Sequence, residues 1–165
     1  MYYIKNFFLY SLLGFVMEST LYKIINSKRH SGIFYGPITI VYGIGIIGLI
    51  LVDKYLLSKI ECNKYIKLLI EFISFTIILS LIELLCGNIT HLIFNIDMWN
   101  YIDEPYHIGK YICLQNSLIW GLLGVLYIHI FKPITDKIVN QMSKRQTYIF
   151  ILIFIIDLSL VMINK

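Results

Sequence analysis

Charge is scarce in this 165-residue sequence: 15% of its residues are Asp, Glu, Lys or Arg, against 58% hydrophobic ones, and the mean hydropathy is +0.76. Ten acidic and 14 basic side chains cannot shield so much Ile, Leu, Phe and Tyr surface from water. A water-soluble globular domain is thereby excluded, and hydrocarbon is the solvent the composition calls for. The three cysteines, Cys62, Cys86 and Cys113, are odd in number and form no C-x-x-C pair, which argues against a zinc site or a disulfide framework. They read as apolar fillers, with a single Cys86 to Cys113 bridge left open if both lie near the outer surface. His91 and His107 have no His or Cys four residues away, so no metal is expected. No G-x-x-x-x-G-K-[ST] loop is present to cradle phosphates, and no cofactor is expected. No linker, low-complexity tract or repeat divides residues 1–165, which read as a single helix-bundle domain. No A-x-A cleavage pattern follows the first apolar run, and Glu18 interrupts it, so that run reads as a retained helix and not as a signal peptide.

What the sequence does have is long apolar runs. A helix needs about 20 mostly apolar residues to cross the hydrocarbon, and five segments qualify, at roughly 5–25, 33–53, 66–90, 111–131 and 147–163. The expected fold is therefore all-α, a polytopic membrane bundle of about five transmembrane helices. The basic residues lie between the runs and do not cluster on one element, so they anchor loops, and no nucleic-acid partner is expected. On one side fall Lys5, Lys54, Lys59, Lys64, Lys67, Lys132, Lys137, Lys144 and Arg145. On the other fall Lys23, Lys28, Arg29, Lys110 and Lys165. The excess on the first side places the N-terminus in the cytoplasm.

This orientation gives each polar intramembrane residue a depth. At about 1.5 Å per residue, Glu18 lies about 20 Å along helix 1 and Glu83 about 25 Å along helix 3, both in the outer half. Gln115, Asn116 and Ser117 on helix 4, and Tyr35, Gly36, Pro37 and Tyr42 on helix 2, fall at a similar level. A carboxylate in hydrocarbon costs on the order of 3 kcal/mol, so Glu18 and Glu83 should face the bundle interior. Ser11, Gly14 and Tyr22 share the face of Glu18; Thr76, Ser80 and Gly87 share that of Glu83. Ser117, Gly121 and Gly124 form a small-residue seam on helix 4. Glu71 is one helical turn beyond Lys67, a spacing that allows an interfacial ion pair. Trp99 and Tyr101 read either as an interfacial aromatic belt or as a lid over the polar layer.

Four stretches, Phe8 to Glu18 (FLYSLLGFVME), Gly32 to Gly43 (GIFYGPITIVYG), Trp99 to Tyr101 (WNY) and Gly109 to Gly124 (GKYICLQNSLIWGLLG), resemble a family of small bacterial membrane proteins, the putative ABC transporter permeases. Ile40 and Asn100 depart from that pattern, standing where the family has a proline and an aspartate. The resemblance implies a multi-pass protein of the bacterial cytoplasmic membrane that takes part in transport, with the lipid bilayer around it and a separate ATPase subunit or other membrane protein as partner. The expected site is a shared, outward-facing polar cavity for a small solute or lipid-like ligand, with Glu18 and Glu83 as charged groups, Tyr42 and Asn116 as hydrogen-bonding groups and Trp99 as gate. Two alternatives stay open: an intramembrane enzyme using a Glu18/Glu83 carboxylate pair, for which no nucleophile or metal motif speaks, and a non-catalytic membrane subunit or regulator.

Overall fold

The structure is a computed structural model that describes residues 1–27 and 30–164; Lys28, Arg29 and Lys165, three of the basic residues used for orientation, lie outside the described residues. Six α-helices follow in order: α1 (Tyr2–Ile24), α2 (Ile40–Tyr55), α3 (Lys64–Phe94), α4 (Leu114–Leu126), α5 (Lys132–Gln141) and α6 (Lys144–Ile163). A 3-10 turn (Leu57–Lys59) follows α2, and a π-helical turn (Tyr127–Phe131) joins α4 to α5. Two short antiparallel strands, β1 (His107–Ile108) and β2 (Ile112–Cys113), make a hairpin ahead of α4.

Four helical segments are long and apolar enough to cross a membrane: Ile40–Lys59, Lys64–Phe94, Leu114–Gln141 and Lys144–Ile163. Only 17% to 28% of the residues in their apolar windows are buried by protein, so the remaining side chains need an apolar solvent. α1, with Lys5, Glu18 and Lys23 along it, falls outside this set of four.

The chain divides into two compact units. The first comprises Met1–Ile46 and Asp136–Lys165. Here α1 ends at Asn26, which adopts a left-handed backbone (φ 50°) while the Ser27 N–H returns to the Tyr22 carbonyl at 2.8 Å, a closure Asn tolerates almost as well as Gly. Phe7 and Phe8 of α1 meet Phe154 of α6 edge-on, and Phe8 stacks on Phe150. Gly43 lets α2 approach α1 where a Cβ would overlap the Ser11 hydroxyl and lie 2.6 Å from the Phe7 carbonyl oxygen. At the other end of α1, Lys5 donates to the carbonyls of Val139 (3.1 Å) and Met142 (2.6 Å) as α5 ends, and the Tyr2 hydroxyl donates to Asp136 at 2.6 Å. A lysine there satisfies carbonyls that the helix leaves open and meets the negative end of its dipole. A Ser143/Gln146 capping box then starts α6.

The second helix does not begin at residue 33 as its hydropathy implies; α2 starts at Ile40. Residues 31–39 are irregular, turning at Pro37 where the Ile38 N–H bonds the Gly36 carbonyl at 2.8 Å, and the Thr39 N–H reaches the Ser11 carbonyl at 3.1 Å. Pro37 therefore lies in a turn ahead of the helix and not in its first turn.

The second unit is Ile47–Thr135. α3 starts at an Asn63 cap, whose side chain accepts from the Tyr65 N–H at 2.9 Å, and runs unbroken for 31 residues to a left-handed Asn95. It extends beyond the span of residues 66–90 that the sequence implies. α4 packs on α3 through the small-residue seam expected from sequence: a Cβ on Gly121 would overlap Thr76 Oγ1, one on Gly124 would lie 2.9 Å from Phe75 Cβ, and Ser80 Oγ donates to Ser117 Oγ at 2.7 Å. The three cysteines, Cys62, Cys86 and Cys113, are free thiols, so the Cys86 to Cys113 bridge is not formed.

Candidate functional site

Glu83 is the centre of the polar group on the α3/α4 seam, one helical turn beyond Ser80. Its residue is 5% exposed. Oε1 accepts the Tyr101 hydroxyl at 2.8 Å, and the Trp120 side chain also hydrogen-bonds the carboxylate. Asn116, one turn before Trp120 on the same face of α4, also hydrogen-bonds Tyr101. Glu83 Oε2 is buried and has no hydrogen-bond partner among the described residues. A buried acceptor left unpaired is costly, more so when it carries charge, and no described lysine, arginine or histidine forms an ion pair with it. The cluster is therefore a carboxylate fixed by neutral donors with one oxygen still available.

The segment 95–113 between α3 and α4 supplies Tyr101. Its base is closed by Asp97, which forms an ion pair with Lys110, accepts the Tyr111 hydroxyl at 2.6 Å and lies 3.0 Å from His91 Nδ1. The hydrogen bond from Lys110 first, then that from Tyr111, holds the Asp97 carboxyl down at about 2. Burial first, then the Glu83 charge, pushes the Tyr101 phenol well above its ordinary range, so it stays a donor. Tyr111 lies flat against Gly87, where a Cβ would come within 2.7 Å of its ring, and Trp99 Nε1 donates to the Tyr111 carbonyl at 3.4 Å. Trp99 thus braces the segment through Tyr111, and it is Tyr101 that contacts the carboxylate.

Glu18 and Tyr42 belong to the first unit, while Glu83, Trp99 and Asn116 belong to the second. Glu18 accepts the Tyr22 hydroxyl at 2.8 Å on Oε1 and the Ser31 hydroxyl at 2.6 Å on Oε2, so both of its oxygens are satisfied. Ser31 spends its one hydrogen on Glu18, which makes Thr39 the donor in the 2.7 Å Ser31–Thr39 pair. Tyr42 lies against Gly14, where any Cβ would overlap its ring. Asp157 on α6 is 6% exposed and takes the N–H groups of Tyr35 (3.0 Å) and Gly36 (2.8 Å), one on each oxygen. A Cβ on Gly36 would stand 2.9 Å from Asp157 Oδ2, so the backbone can approach only because the residue is glycine. Glu18 and Asp157 are thereby both engaged with segment 31–39.

Three features escape a reading of the sequence. Trp120 sits four residues after Asn116, and that helical spacing is the signal that both serve one site. Asp157 and the Tyr35–Gly36 amides carry no sequence signature of their pairing. Glu71, expected to pair with Lys67 at the interface, is instead 1% exposed and pairs with His129 Nε2 at 2.7 Å. His129 lies within the π-helical turn Tyr127–Phe131, a local departure from the α-helix that the sequence does not signal.

Long apolar helices left largely uncovered by protein, with carboxylates held by internal donors, define a polytopic helical membrane protein. The sequence pattern of the family described as "Putative ABC-transporter type IV" matches residues 5–163, and the chain belongs to that family. It is a membrane protein related to transport. No curated protein and no solved structure matches it.

Proposed function

We propose that the chain is the membrane-embedded component of a transport system of the bacterial cytoplasmic membrane and holds a small solute or lipid-like ligand at Glu83. The observation that carries this reading is the buried Glu83 Oε2 without a hydrogen-bond partner among the described residues, beside Tyr101, Trp120 and Asn116. Asn116 positions the Tyr101 hydroxyl, and Trp99 steadies the segment that carries Tyr101. Glu18 and Tyr42 act in their own unit, Glu18 by holding segment 31–39 through Ser31 and Tyr42 by packing on Gly14. In this reading α1 is a fifth crossing with its N-terminus in the cytoplasm, the Glu83 layer faces outward, and a separate ATPase subunit supplies nucleotide hydrolysis.

The bonds from Lys5 to Val139 and Met142 support that topology, since α1 starts where the α5–α6 connection turns and both ends carry basic residues. The test is untargeted metabolite and lipid profiling of cells that lack the gene, re-expressing either the native chain or Glu83→Gln. Restoration by the native chain but not by an equally abundant Glu83→Gln protein is expected. Equal restoration by both would remove Glu83 from the function.

A further inference from the structure

We infer that the ligand group received by Glu83 is a primary ammonium, carried by a small amine or by an amino lipid headgroup. The inference rests on the proposed ligand site at Glu83 and assigns the chemical class that site takes. Two properties of the cluster select it. First, the open group is an acceptor: Oε1 takes the Tyr101 hydroxyl, while Oε2 is buried with no hydrogen-bond partner among the described residues. A ligand completing the site must therefore bring a hydrogen, which an ionised carboxylate, a phosphodiester or a quaternary ammonium centre cannot do. Second, the protein's own donors here, the Tyr101 hydroxyl and the Trp120 side chain, are neutral. Lys110, which lies in the same connecting segment as Tyr101, is paired with Asp97. Among the described residues no cation of the protein compensates this carboxylate, and in a low-dielectric setting a charged donor gains more from it than a neutral one.

The surroundings agree with a compact organic cation. Tyr101 and Trp120 bring aromatic rings to the carboxylate, and such rings favour cations over anions. An inorganic divalent cation would demand several further oxygen ligands, and among the described residues no three acidic, histidine or cysteine side chains come together.

Trp120 makes the site observable, because the chain has two tryptophans and a Trp99→Phe variant leaves Trp120 alone beside Glu83. The full-length Trp99→Phe protein in detergent is titrated with n-butylammonium chloride and, separately, with 1-butanol, a neutral donor of matching length, while Trp120 emission and thermal midpoint are followed. A saturable emission change and a raised midpoint with the amine are expected, with at least about tenfold weaker binding of the alcohol, as loss of a charge-assisted bond implies. A further Glu83→Gln substitution should bring amine and alcohol to similar affinity; if the Gln protein does not fold, Glu83→Asp, which keeps the charge but withdraws it by one methylene, should weaken amine binding more than alcohol binding. Reconstitution in phosphatidylethanolamine or phosphatidylglycerol particles distinguishes the sources: an emission change with the former alone assigns the headgroup, and one with butylammonium alone assigns a free amine. Equal binding of amine and alcohol by the native site would overturn the ammonium assignment while leaving a ligand at Glu83. An amine response unaffected by either Glu83 substitution would place binding elsewhere and overturn the site itself. No response to the amine or to phosphatidylethanolamine, in a protein whose rescue of cells still requires Glu83, would overturn the ammonium class alone.

Discussion

Single carboxylates in this protein differ by how many of their oxygens the chain itself satisfies. Glu18 and Asp157 have both oxygens engaged, Asp97 is engaged by three groups, and Glu83 has one oxygen without a hydrogen-bond partner among the described residues. That difference separates carboxylates that hold structure from the one proposed to hold ligand. Asp97 offers a test by pH. Its carboxyl lies at about 2 in the folded chain against an ordinary 3.8, so its stabilising effect on segment 95–113 is fully present above about pH 4 and is lost as pH falls toward 2. Protection of the 95–113 amides, exchange being taken relative to the intrinsic rate at each pH, should fall across that interval in the native chain. Asp97→Asn should show lower protection already at neutral pH and little further loss on acidification; a native-like acid profile in this variant would assign the effect to other groups. Sequence alone marked Glu18 and Glu83 as residues that must avoid lipid, because cost depends on residue type and depth. Which of the two keeps a free oxygen was not legible, since Ser31 and Tyr101 reach them from segments with no periodic signal.

Among the helices, the α3/α4 seam is the element most plainly written in the sequence. Ser117, Gly121 and Gly124 recur at helical spacing, and each faces α3. Gly121→Leu should push the backbones apart and cost roughly 1–3 kcal/mol, lowering the thermal midpoint in detergent, whereas Leu122→Ala on the exposed face should leave it nearly unchanged. Equal midpoints for both variants would contradict the packing. The start of α2 was less legible. The run GIFYGPITIVYG is apolar throughout, and hydropathy cannot tell a helix from an irregular segment whose amides are satisfied by a distant carboxylate. Asp157 supplies that satisfaction. Asp157→Ala should accordingly speed exchange at the Tyr35 and Gly36 amides by at least about tenfold, as expected when a charge-assisted bond worth more than 1 kcal/mol is lost. Protection unchanged from the native chain would mean that Asp157 does not hold the segment. The π-helical turn was illegible for a related reason: no residue in YIHIF forbids an ordinary α-helix, and the buried Glu71 that engages His129 lies 58 residues earlier in the chain.

For the whole molecule, composition and hydropathy were sufficient to read an all-α membrane protein, because four segments are apolar along their length whatever their partners. The proposed fifth crossing, α1, is harder to read, since the polar residues that α1 directs at its neighbours lower its hydropathy. Asn6 and Ser11 are fully buried, and Glu18 is held by Tyr22 and Ser31. If α1 crosses, reporter fusions after Lys64 and after Lys137 should both report cytoplasm, and a tag before Met1 should be protected from external protease. An external signal from either fusion would reverse or remove a crossing. The central claim, that Glu83 holds the ligand of this transport component, is tested most directly by mass spectrometry of small molecules and lipids retained by the protein in native-lipid particles. The native chain and Glu18→Gln should retain the same bound species, and Glu83→Gln should retain at least about tenfold less of it, the loss expected when a charge-assisted hydrogen bond is removed. Retention of the same species at the same occupancy by Glu83→Gln would contradict the claim.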